Sequence, residues 1–197
     1  GTSQAQEDYR MFEAKTPQLD SAYAKGVSGH IAGELRPGLL VMAGGCNFPD
    51  RPARKGGAKR YYSEIYIGEY LGAVHHACET KASEVDIWWW LIGHLPQPTA
   101  YAAFQQYDDQ LIVAGGQSAE GDLRDAYIIQ LGNRHGMTIT SLPSLPEPRS
   151  GMASARIENV LYLIGGRVNG KLSNTVLSLD LSRPQKEWRE ETPYPHS

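Results

Sequence analysis

Cysteine is scarce in this chain: Cys46 and Cys78 are the two among 197 residues. Two thiols make neither a disulfide scaffold nor a structural zinc site by themselves. No apolar run approaches the roughly 18 residues needed to span a bilayer. Neither sign of charge is in large excess, and a formal net charge of −3 gives no indication of nucleic acid or an anionic membrane as partner. No signal peptide is visible, and an opening Gly1 in place of Met points to a processed or trimmed chain. The adjacent His75 and His76 have no third ligand at useful spacing. Neither a metal centre nor a cofactor is expected.

What the chain does have is glycine and proline, 21 and 12 residues, which suits many short strands joined by tight turns. Three apolar runs end in a glycine pair. They are Leu39-Leu40-Val41-Met42-Ala43-Gly44-Gly45, Leu111-Ile112-Val113-Ala114-Gly115-Gly116 and Leu161-Tyr162-Leu163-Ile164-Gly165-Gly166. A strand-like stretch precedes each, around Val27 to Leu35, Tyr101 to Gln106 and Met152 to Ile157. Pro37-Gly38, Asp108-Asp109 and Glu158-Asn159 stand between, so each unit opens on a hairpin. Third strands are predicted over Glu64 to Tyr70, Ala126 to Leu131 and Thr175 to Leu181. Fourth strands are predicted over Asp86 to Leu91, Met137 to Ser141 and Glu187 to Glu190, each followed by a proline-rich exit.

Four antiparallel strands in roughly 50 residues is the period of a kelch-type β-propeller blade. The glycine pairs recur 50 residues apart from Gly116 to Gly166 and 71 apart from Gly45 to Gly116, so the first unit carries an insertion. The fold class is therefore all-β, with three blades at residues 23–98, 99–148 and 149–197. Residues 1–22 precede them. There Met11 to Ala14 reads as an outer strand that closes a blade lying beyond Ser197. The glycine pairs are expected to line an axial channel, where a β-carbon would block close backbone approach.

The segment Val41-Met42-Ala43-Gly44-Gly45-Cys46-Asn47-Phe48-Pro49-Asp50-Arg51-Pro52, followed by Ala53-Arg54-Lys55-Gly56-Gly57-Ala58-Lys59-Arg60-Tyr61-Tyr62-Ser63-Glu64-Ile65-Tyr66, resembles the kelch-repeat sialic acid mutarotases, or N-acetylneuraminate epimerases, in particular a cyclically permuted branch. The resemblance implies a six-bladed propeller of which three blades stand here. The others would come from a missing half or from a second chain. It implies an isomerase that interconverts the α and β anomers of N-acetylneuraminate by acid–base ring opening and closing, in the bacterial periplasm. It also implies a catalytic Glu directly after a glycine pair. Here Cys46, Gln117 and Arg167 stand in that position, so no catalytic residue is assigned within this chain. The alternative is a non-catalytic propeller that binds a glycan or a protein, since a fold does not fix a function.

In the kelch arrangement the loop after the second strand and the segment leading into the first strand open on one face. A sugar acid's carboxylate there calls for arginine, whose guanidinium forks onto both oxygens. Arg149 and Arg167 are the candidates, and Arg149 has the alternative role of a bond between blades. Gln117, Asn47, Tyr101 and His30 fall on the same face, as do Arg51 and Lys55 in a loop holding five cations in ten residues. The Gly56-Gly57 pair in that loop gives the flexibility of a lid, although a charge run of this kind also reads as a solvated loop. Trp88, Trp89 and Trp90 lie on an outer strand, where alternation sends one to the opposite face from the other two.

Overall fold

Each of the three apolar runs becomes the second strand of a sheet, with successive side chains finding apolar neighbours on opposite faces. A computed structural model of the chain describes residues 13–14, 19–74, 84–133, 136–183 and 187–191. Blade 1 consists of strands Ile31–Arg36, Leu39–Ala43, Glu64–Val74 and Glu84–His94. Blade 2 consists of Ala103–Tyr107, Gln110–Ala114, Ala126–Leu131 and Met137–Ser141, and blade 3 of Ala153–Ile157, Val160–Ile164, Val176–Asp180 and Arg189–Glu191. In every blade the four strands are antiparallel neighbours in chain order. The chain thus forms three kelch-type blades. Among the described residues no helix is long and apolar enough to cross a membrane.

The blades stack through strict alternation. Val41 and Ala43 of blade 1 meet Leu111, Val113, Tyr127 and Ile129 of blade 2 in one core. The other face of blade 2, with Ile112 and Ala114, meets Leu161, Leu163, Leu177 and Leu179 of blade 3 in a second. First strands of adjacent blades lie side by side: Ser154 Oγ donates to the Phe104 carbonyl at 3.2 Å and Arg156 Nε to that of Gln106 at 2.9 Å. The outward face of blade 3 presents Val160, Tyr162 and Ile164 half-buried.

The glycine pairs serve contact between blades. A β-carbon on Gly44 would lie 2.5 Å from the Thr99 carbonyl, and one on Gly115 2.5 Å from that of Arg149. Both carbonyls belong to the segment leading into the next blade. All six glycines of the pairs have positive φ, which any β-carbon disfavours.

Past each pair the chain forms a two-stranded ribbon: Cys46–Asn47 with Arg60–Tyr61, Gln117–Ser118 with Gly121–Asp122, and Arg167–Val168 with Lys171–Leu172. Blades 2 and 3 close this ribbon with two residues, whereas blade 1 opens it into residues 48–59. That loop and an outer hairpin of two 11-residue strands absorb the extra length of the first unit.

The tryptophans divide as alternation requires. Trp89 is 7% exposed and packs with Tyr23, Tyr66 and Ile87 on one face of blade 1, Trp90 packs toward blade 2, and Trp88 is 53% exposed. Glu13–Ala14 runs parallel to Glu84–Val85 at the outer edge of blade 1. The expected latch gave this segment a blade beyond Ser197; here it pairs with the outer strand of blade 1. Leu19 and Tyr23 cover the adjoining face, and the Tyr23 hydroxyl donates to the Gly44 carbonyl at 2.7 Å. His75, His76 and Cys78 lie outside the described residues.

Candidate functional site

Three equivalent backbone bridges fix the geometry of the loop face. The residue after each glycine pair exchanges two hydrogen bonds with the segment leading into its own blade: Cys46 with Ser28, Gln117 with Ala100, and Arg167 with Ser150, all at 2.7 to 3.1 Å. Their side chains differ, but the backbone places them identically.

The next residue of each lead-in is Gly29, Tyr101 and Gly151, with φ of 66°, 57° and 66°. A ladder joins them across the blades, from the Tyr101 amide to the Gly29 carbonyl at 2.8 Å and from the Gly151 amide to the Tyr101 carbonyl at 3.0 Å. Left-handed backbone costs a residue bearing a β-carbon about 1–2 kcal/mol. Two blades meet the requirement with glycine, and blade 2 meets it with tyrosine. The remaining described non-glycine residues of positive φ, Asp108, Glu158 and Asn169, sit in tight turns.

The Tyr101 ring crosses to blade 1 and lies over Gly29, where a β-carbon would stand 2.6 Å from Cδ1. Its hydroxyl is 3.2 Å from Ser28 Oγ and 3.7 Å from the Cys46 thiol, a buried free cysteine. Above it stands Lys59, whose Nζ is 5.2 Å from the Tyr101 ring centre and 5.0 Å from that of Tyr61, within range of a cation–π contact. Burial acts to lower the Lys59 pKa, but the hydrogen bond with Tyr61 and the neighbouring Cys46, Tyr61 and Tyr101 outweigh it, and the ammonium is held above the ordinary lysine range. Tyr61 in turn donates to Gln117 Oε1 at 3.0 Å.

A cavity of about 250 Å³ opens between Tyr101, Gln117, Ser150, Gly151 and Arg167. Arg167 is exposed beside it, with Nη1 3.5 Å from the Gly170 carbonyl. A second cavity of about 390 Å³ lies across the Tyr61–Gln117 contact, lined among others by Lys59, Tyr61, Pro98 and Ser118. Phenols, a carboxamide and two cations around a concave surface form a set suited to a polar, anionic ligand.

The blade architecture has a counterpart in known sequences. Residues 148–193 match the Kelch motif. N-acetylneuraminate epimerase of Salmonella arizonae is 26% identical over 105 residues, 53% of this chain and 25% of that protein. The protein of the same name from Yersinia enterocolitica is 30% identical over 100 residues, 51% of this chain and 24% of its own. The chain carries kelch repeats and is similar, over about half its length, to the N-acetylneuraminate epimerases. The aligned part spans about a quarter of the length of those relatives.

In this kelch-repeat chain the residues singled out from the sequence separate into two groups. Tyr101, Gln117 and Arg167 come together at the smaller cavity. Arg149 does not join them. It is 2% exposed, Nη1 donates to the Gly165 carbonyl at 3.3 Å, and Nε is buried without a hydrogen bond. Burial pulls its pKa down, partly opposed by Glu147 and Glu190. This is a packing role inside its own blade, under the glycine pair; the bond between blades that the sequence offered as the alternative is made here by the Arg149 backbone, with Leu123 and Gly116, not by its guanidinium.

Asn47 spends its whole amide on structure. Nδ2 donates to the Ala22 and Gly26 carbonyls, and Oδ1 accepts from the Tyr62 hydroxyl at 2.8 Å. His30 lines a separate cavity on the outer face of blade 1 with Leu19, Tyr23 and Met42. Arg51 and Lys55 are exposed and line neither the Arg167 cavity nor the Lys59 cavity; Lys55 ends the short 3-10 turn Ala53–Lys55. Gly56-Gly57 forms a tight fold-back rather than a hinge: the Gly57 amide donates to the Pro52 carbonyl at 3.2 Å, and a β-carbon there would collide with the Arg51 carbonyl.

Lys59 and Tyr61 belong to the cluster although the sequence reading did not choose them. The available signal was their place at the close of the ribbon, where pairing of Tyr61 with Cys46 and of Arg60 with Asn47 brings the chain back to the loop face.

Proposed function

We propose that this chain supplies three blades of a six-bladed kelch propeller that binds a sialic acid and interconverts its α and β anomers by acid–base ring opening and closing. The completing blades come from further sequence or from a second chain, and the compartment is the periplasm. The observation that carries this reading is the cavity on the loop face. Arg167 stands exposed on one side of it, Lys59 approaches over the Tyr101 ring from blade 1, and Tyr101 and Gln117 supply hydrogen-bonding groups between them. A sugar acid needs this combination: cationic groups for the carboxylate, and phenol and amide for the hydroxyls. Similarity to two proteins named N-acetylneuraminate epimerase supports the choice of acid.

One observation favours a second reading, a propeller that binds a glycan or a protein without catalysis. None of Cys46, Gln117 and Arg167, the three residues directly after the glycine pairs, is acidic. The test uses the protein with its full set of blades. Arg167→Ala is expected to weaken sialate binding about 10- to 100-fold by calorimetry, the equivalent of one charge-assisted hydrogen bond, with the melting temperature unchanged. Unchanged affinity removes Arg167 from the site. Anomer exchange followed by NMR separates the readings, because a parent that binds sialate without speeding exchange is a binding module.

A further inference from the structure

Resting on the mutarotase reading, we propose that Tyr101 is the residue of this chain that exchanges a proton with the sugar's ring oxygen. The first ground is a comparison internal to the molecule. Gly29, Tyr101 and Gly151 occupy one position in three blades, joined by one hydrogen-bonded ladder and held at the same left-handed φ. The ladder imposes the conformation whatever the side chain. Glycine satisfies it in blades 1 and 3, so tyrosine in blade 2 is retained against a local conformational cost. Strain of this kind beside a cavity is a pointer to function.

The second ground is where the ring goes. It leaves its own blade, lies on Gly29 and lines the same cavity as Gln117 and Arg167. It is 37% exposed, so its hydroxyl is not sealed in the core. Ser28 Oγ at 3.2 Å and the Cys46 thiol at 3.7 Å can each exchange a hydrogen bond with the phenol, and the Lys59 ammonium stands over the ring.

The step balances without a cofactor. The phenol gives its proton to the ring oxygen as the bond from that oxygen to the anomeric carbon breaks. A water in the cavity takes the proton of the anomeric hydroxyl, and the anomeric carbon becomes a ketone. The bond to the ketone carbon turns, and the ring hydroxyl adds to the opposite face. The new hydroxyl takes back the proton held by water, and the ring oxygen returns its proton to the phenolate.

Tyr101→Phe keeps the ring, its seat on Gly29 and its contact with Lys59, and removes only the hydroxyl. In the protein with all its blades, the NMR exchange rate at saturating sialate is expected to fall at least 100-fold, within the range for loss of a general acid–base group. Sialate affinity is expected to stay within about threefold. Exchange at the parent rate in Tyr101→Phe overturns the assignment. A parent that does not speed exchange removes the mutarotase reading and this role with it, while loss confined to Tyr101→Phe separates the two. Tyr101→Gly supplies a readout that does not depend on activity: its melting temperature is expected to match or exceed the parent's. A clear fall would make the ring a packing element and overturn the claim that it is kept for chemistry.

Discussion

Blades 1 and 3 use one scaffold in opposite ways. Both carry the glycine pair, the backbone bridge to the lead-in and the two-stranded ribbon. Blade 3 closes the ribbon with Asn169-Gly170, both at positive φ, and presents one exposed cation, Arg167, from the bridge position itself. In blade 1 the bridge position holds the buried Cys46, and the ribbon opens into residues 48–59, which deliver Lys59 and Tyr61 from further away. The invariant part therefore answers to packing between blades, and the chemistry resides in what the ribbon is allowed to carry. Ribbon length can change because its two strands pair with each other and place no demand on the sheet below.

The largest expected effect tests whether blade 1's second enlargement, the long outer hairpin, is structure or ornament. Trp89 packs over Gly68, where a β-carbon would lie 2.9 Å from the indole ring. Trp89→Ala should cost about 3–5 kcal/mol in urea denaturation, as for other buried aromatics. Trp88→Ala, one residue away on the open face, should stay within about 0.5 kcal/mol. Equal losses would mean that the hairpin is not part of the core.

Next in size is the contrast between scaffold and ribbon glycines. Gly115→Ala combines a left-handed backbone, about 1–2 kcal/mol, with a β-carbon 2.5 Å from the Arg149 carbonyl, an overlap of a kind that adds about 1–3 kcal/mol. Gly170→Ala meets nothing within 4 Å and should show the conformational cost alone. Matching losses at the two positions would deny that the pair is conserved in form for contact between blades.

Much of this was legible from the chain. The apolar runs ending in glycine pairs gave the second strands to within a residue, and the predicted spans Ala126 to Leu131 and Met137 to Ser141 match the strands found. Arg167 and Gln117 were readable because their place is set by counting from the pair. Side chains placed by tertiary contact were harder. Arg51, Lys55 and Lys59 are indistinguishable as cations in one loop, and only the fold-back at Gly57 and the ribbon register decide which one reaches the tyrosines. Arg149 sits one residue before the bridge and reads equally as ligand or packing group until its burial is seen. The special place of Tyr101 was present in the sequence as a misfit: aligning Ser28-Gly29, Ala100-Tyr101 and Ser150-Gly151 sets a tyrosine against two glycines.

Only a small change in stability is expected from the most drastic edit, and it bears most directly on the comparison of the two blades. Replacing residues 48–59 with Asn-Gly would give blade 1 the ribbon of blade 3. The register permits it, since Asn47 opposite Arg60 matches Val168 opposite Lys171, and Asn-Gly suits a two-residue antiparallel turn. Shortening the loop lowers the entropy cost of closing it by about 1–2 kcal/mol. Against this stands the loss of a few exposed contacts, such as the Lys25 ammonium on the Pro49 carbonyl. The net change should be within about 1 kcal/mol, measured by urea denaturation. Sialate binding in the complete propeller should nevertheless fall about 10-fold or more, because Lys59 leaves with the loop while Tyr61, Tyr101 and Arg167 remain. A large loss of stability would make the loop part of the scaffold. Retained affinity would assign the anion to Arg167 alone and leave blade 1's enlargement without a role in the site.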